Sequence, residues 1–177
     1  YLPHISEGID DSAHAEFVCQ SNGDTTPDPA HDLIQRQTAV VHGMAVNPDD
    51  VARYRSDLSI LIWSPRSNID LYGNTAPIAL YDNLGVPIAL GTDWLPSGSM
   101  NMARELRCAD ELNQKYFDKK LSDKQLWQMV TINSAFAIGA AHAIGQLKPG
   151  YLGDIAIFDA SGKKNPYRAV IEAGVED

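Results

Sequence analysis

Residues 87–98 read PIALGTDWLPSG, an apolar run that stops on an acid. Pro87 to Leu90 have strand character, Gly91-Thr92-Asp93 closes the run, and turn chemistry follows Trp94. A carboxylate at the mouth of a core strand needs a partner, because an unpaired buried charge is expensive. Asp93 is therefore the first residue whose position asks for a chemical reason.

Working outward, three further apolar runs precede it: Tyr1 to Ile5, TAVVHG from Thr38 to Gly43, and LSILIWSP from Leu58 to Pro65. The fourth run in full is Val86 to Asp93. Continuous apolar runs of this length suit strands buried on both faces, as in a parallel sheet. Between them the patterning predicts three helices. Ser12 to Cys19 interleaves Ala13, Ala15 and Phe17 with polar residues. Asn47-Pro48-Asp49-Asp50 supplies an N-cap, a proline at the first helical position and first-turn acids, opening a helix through Arg55. Thr75-Ala76-Pro77 opens the third, which runs through Asn83 and stops at Gly85. The order β-α-β-α-β-α-β implies right-handed crossovers in an α/β sheet or barrel. Beyond Gly98, Met100 to Phe117 reads as a long amphipathic helix. Ser122-Asp123 caps another that breaks between Thr131 and Asn133. A turn-rich stretch then leads into an expected strand at Asp154 to Asp159.

Hydrophobic residues make up 44% of the 177 residues and charged residues 21%, which suits a globular domain with a hydrophobic core. The formal charge of −9 and the lack of a basic stripe argue against nucleic acid as a partner. The longest apolar-rich stretch, Ala135 to Ile144, is interrupted by Gly139 and His142 and is too short for a bilayer, which needs roughly 20 residues. Two distant cysteines, Cys19 and Cys108, read as small buried hydrophobes in a reduced, cytoplasmic setting rather than as a disulfide framework. The opening Tyr-Leu-Pro-His and the abrupt close VIEAGVED suggest a piece of a longer polypeptide.

Three of the four runs end on a side chain that can bind metal: His4, His42 and Asp93. Side chains at the carboxyl ends of adjacent parallel strands converge on one site, and imidazole nitrogen with carboxylate oxygen suits Zn²⁺ or another first-row divalent ion. Each residue alone has a structural explanation, a satisfied histidine or a turn-capping aspartate. All three at successive strand ends would need three coincidences. Glu7, three residues after His4, adds a base beside a metal that lowers the pKa of bound water from about 16 toward 7, or else it is a first-turn acid of the following helix. His14 and His31 lie in polar stretches and read as surface residues, and His142 reads as packing in an Ala-rich helix end. WSPRSNIDLYGNTAP, Trp63 to Pro77, is dense in turn formers and reads as a loop after the third strand. Ser64, Arg66, Ser67, Asn68 and Tyr72 could touch substrate there, or the loop is structural. P-C-x-x-C and G-x-S-x-G motifs do not occur, which disfavours a Cys-ligated zinc deaminase and a nucleophile-elbow hydrolase.

Taken in order, H-x-x-E (His4, Glu7), VVHG (His42), SPRSN (Ser64 to Asn68) and GTDW (Asp93) resemble the amidohydrolase superfamily, in its cytosine deaminase, guanine deaminase and atrazine chlorohydrolase-like branch. TINSAFAIG and IGQLKPGYLGDIAIFD resemble that branch's C-terminal region. The resemblance implies the second half, strands five to eight, of a TIM-type (β/α)₈ barrel over residues 1–145, and the start of a β-sandwich return segment over 146–177. It implies that His4 is a metal ligand, Glu7 the proton shuttle and Asp93 both ligand and proton acceptor. His42 either hydrogen-bonds the attacked centre or joins a metal. Asn68, Trp94, Ser64 and Arg66 are the substrate-binding candidates. The implied cofactor is a divalent metal, zinc first and iron as the alternative, and the implied reaction is hydrolysis of a C–N bond in a small cyclic or amide substrate. A dehalogenating hydrolase and a non-catalytic oligomer-forming module are the competing readings. The family's H-x-H pair does not occur in these residues, so the chain is expected to require its missing N-terminal half or another copy, and to be inactive alone.

Overall fold

The computed structural model describes residues 1–21 and 32–173. His31 and the last four residues of the VIEAGVED close lie outside them. Four strands, β1 (His4–Ile5), β2 (Ala39–His42), β3 (Ile60–Trp63) and β4 (Ile88–Leu90), form one parallel sheet in sequential order. His4 lies opposite Val41, Val41 opposite Ile62, and Ile62 opposite Ala89. That register brings the carboxyl ends of all four strands to one rim.

Each crossover carries helix. Asp10 caps α1 (Asp11–Gln20), its carboxylate accepting from the Ala13 amide. Asn47 and Asp50 form a reciprocal capping box on α2 (Pro48–Ser56), which satisfies two otherwise orphan amides. The third crossover holds two helices, α3 (Pro65–Tyr72) and α4 (Ile78–Asn83). Next come α5 (Met102–Lys115), α6 (Asp123–Met129) with a Ser122–Gln125 capping box, α7 (Ile132–Ala137) and α8 (Pro166–Ile171). The break between α6 and α7 falls at Val130 and Thr131, as the sequence predicts.

Strand residues alternate between two layers. Ile5, Val40, Leu61, Trp63, Ile88 and Leu90 pack outward into the large core with Phe17, Tyr54, Tyr81, Leu106 and Leu126. Ala39, Val41, Ile60, Ile62 and Ala89 form a smaller cluster on the other face. Burial on both faces explains why these strands read as unbroken apolar runs.

The structure departs from the sequence reading in several places. Residues 65–72 form a helix rather than a loop. Its start has a proline in the first turn and its end a left-handed Gly73, the usual asymmetry of helix ends. Asp154 to Asp159 forms no strand. Its alternating apolar side chains find no ladder partner among the described residues, and Ile157 is 93% exposed. α8, capped by Asn165, is an element the patterning does not predict. Cys19 is exposed and Cys108 half-buried, so neither is the core hydrophobe expected, although both are free thiols. His142 is exposed in a turn rather than packed in a helix end. His14 is half-buried and bonded through Nε2 to Asp50 Oδ2 at 2.9 Å, not a free surface residue. No described helix is long and apolar enough to cross a membrane.

Candidate metal centre

The rim of the sheet gathers His4, His42 and Asp93, with one ligand atom from each lying within 4.8 Å of the others. His4 is the first residue of the two-residue β1. Asp93 follows β4 by three residues with a left-handed φ of +57°. His42 ends β2, and strict alternation from the outward-facing Val40 would send its ring toward the helices. Its φ of +75° breaks that alternation. The imidazole instead lies edge-on to His4, ring centroids 4.8 Å apart. Gly43 follows with φ +52°, and a Cβ there would sit 2.7 Å from Leu61 Cδ1 and the Tyr81 hydroxyl. A non-glycine left-handed residue is costly, and two in a row at a strand end need surrounding structure to hold them. Tyr81 contributes by donating to Gly43 O at 3.0 Å.

Around the fully buried His42 the contacts are close. Its Nε2 lies 3.1 Å from His4 Nδ1, 3.4 Å from Glu7 Oε1 and 3.8 Å from Asp93 Oδ2. His4 Nδ1 is 3.2 Å from Glu7 Oε2. Carboxylate oxygens and ring nitrogens thus converge with few protons to share, and a cation relieves such a cluster. The nitrogen and oxygen donors of His4, His42 and Asp93, within 4.8 Å of one another, suit a divalent metal in donor type and in proximity. Burial holds the His42 imidazole below its ordinary pKa, against the upward pull of the Glu7 and Asp93 carboxylates.

The sequence reading did not anticipate what stands behind these residues. α3 places Asn68 and Tyr72 four residues apart, on one face. The Tyr72 hydroxyl donates to Glu7 Oε1 at 2.9 Å, and burial, then this bond and the nearby carboxylate charges, push the phenol up to about 12. Asn68 Nδ2 lies 2.9 Å from His42 Nδ1. Asn68 is fully buried, so the amide expected to bind substrate instead supports the histidine. Arg66, another expected substrate contact, donates from Nε to Ser99 Oγ at 2.8 Å, and Ser67 bonds Ser97 at 2.9 Å. Both contacts tie α3 to the loop after Asp93. The Arg66 amide donates to Glu105 Oε1 at 3.0 Å, so a carboxylate from α5 caps α3. Burial pushes the Glu105 carboxyl up, opposed by Ser99 and that amide. Ser64 is fully buried and also removed from any open surface, whereas Trp94 is 68% exposed beside Asp93. Only the helical spacing of Asn68 and Tyr72, between Pro65 and Gly73, could have signalled this arrangement.

A parallel α/β sheet with histidines and an aspartate gathered at its carboxyl rim defines a class of protein, the α/β proteins with a site at their strand ends. The comparisons with known proteins narrow it. The family model described as "Amidohydrolase family" matches residues 8–174, and the chain belongs to that family. It is 32% identical over 130 residues, 72% of its length, to a 5-methylthioadenosine/S-adenosylhomocysteine deaminase of Teredinibacter turnerae, and 29% identical over 130 residues to the one from Clostridium tetani. Those matches span 29% and 30% of the two relatives, so the chain covers about a third of their length. In fold it is similar to a zinc-bound adenosine deaminase from Xanthomonas campestris, with TM-score 0.78 and 20% identity over 96% of this chain and 40% of that one. It is also similar to Escherichia coli guanine deaminase, with TM-score 0.71 and 19% identity over 91% of this chain and 38% of that one.

Proposed function

We propose that this chain supplies half of the active site of a metal-dependent hydrolase that cleaves C–N bonds, of deaminase type. The observation that carries the reading is the convergence of His4, His42 and Asp93 on one rim, with Glu7 bonded into the same cluster. The four strands stand as strands five to eight of a (β/α)₈ barrel over residues 1–145, and 146–177 as the start of a β-sandwich return segment. The remaining strands come from an N-terminal half or a second copy, and an H-x-H pair there completes the coordination. Two free thiols support a reducing, cytoplasmic setting.

His4 and Asp93 would hold the ion, zinc by the chemistry of the donor set and by analogy with the zinc-bound fold neighbour, with iron as the alternative. When bound, the metal supplies Lewis acidity that draws the pKa of water from about 16 toward 7. In this reading Asp93, whose Oδ2 lies 3.8 Å from His42 Nε2, takes a proton from the attacking water. Glu7, clamped by Tyr72 and facing His4, carries a proton to the leaving nitrogen. The water oxygen becomes bonded to carbon, the C–N bond breaks, and the amine departs with the delivered proton. Trp94, exposed beside Asp93, is available to a small cyclic substrate.

The test is metal content and ammonia release by the full-length protein. 5-Methylthioadenosine, S-adenosylhomocysteine, adenosine and guanine are the probes suggested by the relatives' names. Stoichiometric metal that is lost in Asp93→Ala, with ammonia released from at least one probe, is the expected result. A full-length protein that binds no divalent metal refutes the reading.

A further inference from the structure

Behind His42 runs a chain of largely buried polar groups that ends on a group able only to donate. The indole N–H of Trp63, a group that can only donate, bonds to Thr75 Oγ1 at 2.7 Å. The hydroxyl accepts there and donates on to Asn68 Oδ1 at 3.3 Å. The Asn68 carbonyl therefore accepts, and its NH₂ faces His42 Nδ1 at 2.9 Å. The reversed amide would leave the Thr75 hydroxyl proton without this acceptor. A neutral imidazole whose Nδ1 accepts carries its proton on Nε2. The other side of the ring agrees independently, since Nε2 is surrounded by His4 Nδ1, Glu7 Oε1 and Asp93 Oδ2, groups that can all accept.

We infer that Trp63, Thr75 and Asn68 form a positioning relay that locks His42 as the Nε2–H tautomer, making it a hydrogen-bond donor into the site rather than a metal ligand. The inference rests on the hydrolase reading for its purpose but not for its geometry. It settles, between the two roles the sequence leaves to His42, in favour of the donor. Trp63, Asn68 and His42 are fully buried while Thr75 is half-buried, so the Asn68–His42 bond is the link that water cannot replace without rearrangement. The relay also gives a reason for the left-handed backbone at His42: it turns the ring so that Nδ1 meets Asn68 while Nε2 meets the site.

The experiment is long-range ¹H–¹⁵N correlation of ¹⁵N-histidine-labelled, metal-loaded full-length protein at about pH 8, above the ordinary imidazole pKa, with His42 assigned through His42→Gln. The expected spectrum shows a protonated, pyrrole-type Nε2 and an unprotonated, pyridine-type Nδ1. Asn68→Asp replaces the donating amide by a carboxylate that can only accept, so the proton moves to Nδ1. Nε2 then gains a free lone pair, and kcat falls about 10²-fold or more with a smaller change in KM. Thr75→Val loosens the tautomer preference and Thr75→Ser restores it, which keeps the test open if Asn68→Asp does not fold. A wild-type spectrum with Nδ1 protonated, or with Nε2 showing the signature of metal ligation, overturns the relay. A correct tautomer in a protein that hydrolyses no probe leaves the relay standing and counts against the hydrolase reading alone.

Discussion

Replacing Glu7 by Gln separates chemistry from architecture, because the amide is nearly isosteric with the carboxylate. The side-chain carbonyl still accepts from the Tyr72 hydroxyl, which lies 2.9 Å from Oε1, and the NH₂ end takes the place of Oε2, 3.2 Å from His4 Nδ1. The Tyr72 bond passes from a charged acceptor, worth about 1.5–3 kcal/mol, to a neutral one worth about 0.5–1.5 kcal/mol, and the His4 contact reverses, the NH₂ donating to Nδ1 in a neutral bond of the same lower worth. Such exchanges differ by about 1–1.5 kcal/mol each, so two of them cost at most about 2–3 kcal/mol, and solvent at a side chain 27% exposed reduces that further. The loss of a proton shuttle is larger: about 10²–10⁴ in rate, or roughly 2.7–5.5 kcal/mol of barrier at 1.36 kcal/mol per decade. Glu7→Gln in the full-length protein should therefore keep its metal and most of its urea midpoint while kcat falls by at least about 10². The assays are ammonia release on the best substrate from the screen, metal analysis, and urea unfolding of the same preparations. If metal stays bound and kcat stays within about threefold, proton transfer is not the work of this carboxylate, since general acid–base catalysis contributes at least about 10².

Arg168 makes a bidentate pair with Asp110 at 2.7 and 3.0 Å and also bonds Asp123, joining α5, α6 and α8 with a guanidinium only 14% exposed. Arg168→Met should cost about 2–4 kcal/mol in urea unfolding, since it leaves two partly buried carboxylates unpaired. The Arg168 bond holds the Asp123 carboxyl below the usual range. That contribution is complete above the unfolded aspartate pKa of about 4 and fades as pH falls through the folded value; a variant gap as wide at about pH 2 as at pH 7 contradicts this. Glu105→Gln keeps an acceptor for the Arg66 amide but removes a carboxyl whose folded pKa is raised. Such a group favours the folded state below its unfolded pKa of about 4.3 and loses that advantage as pH rises through the folded value. The variant should gain on wild type between about pH 4 and neutrality, and thermal melts showing the reverse trend would exclude it. Gly43→Ala forces a Cβ to 2.7 Å from Leu61 at a left-handed position, and should lower stability by about 1–3 kcal/mol, measurable by urea unfolding together with loss of metal binding.

What the sequence makes legible here follows from the range over which each signal acts. Strands buried on both faces announce themselves as apolar runs, and His4, His42 and Asp93 are visible because they interrupt those runs at their ends. Caps such as Asn47 and Ser122 are local and were readable to within a residue or two. α3 was not, because it is eight residues long, built from turn formers, and has no side-chain cap of its own. Its N-terminus is satisfied by Glu105, 39 residues further along the chain. The Asp154 to Asp159 segment fails in the opposite direction. Its alternation is a genuine strand pattern, but a strand is completed only by a neighbour, and none of the described residues provides one. The same distinction runs through the site. The atoms that face the metal position sit at strand ends and could be read. The groups that aim them, Tyr72 on Glu7 and Asn68 on His42, are set by the packing of α3 against the rim. The chain of hydrogen bonds behind His42 ends on Trp63, a core residue of β3, and the apolar run of that strand hides its polar edge.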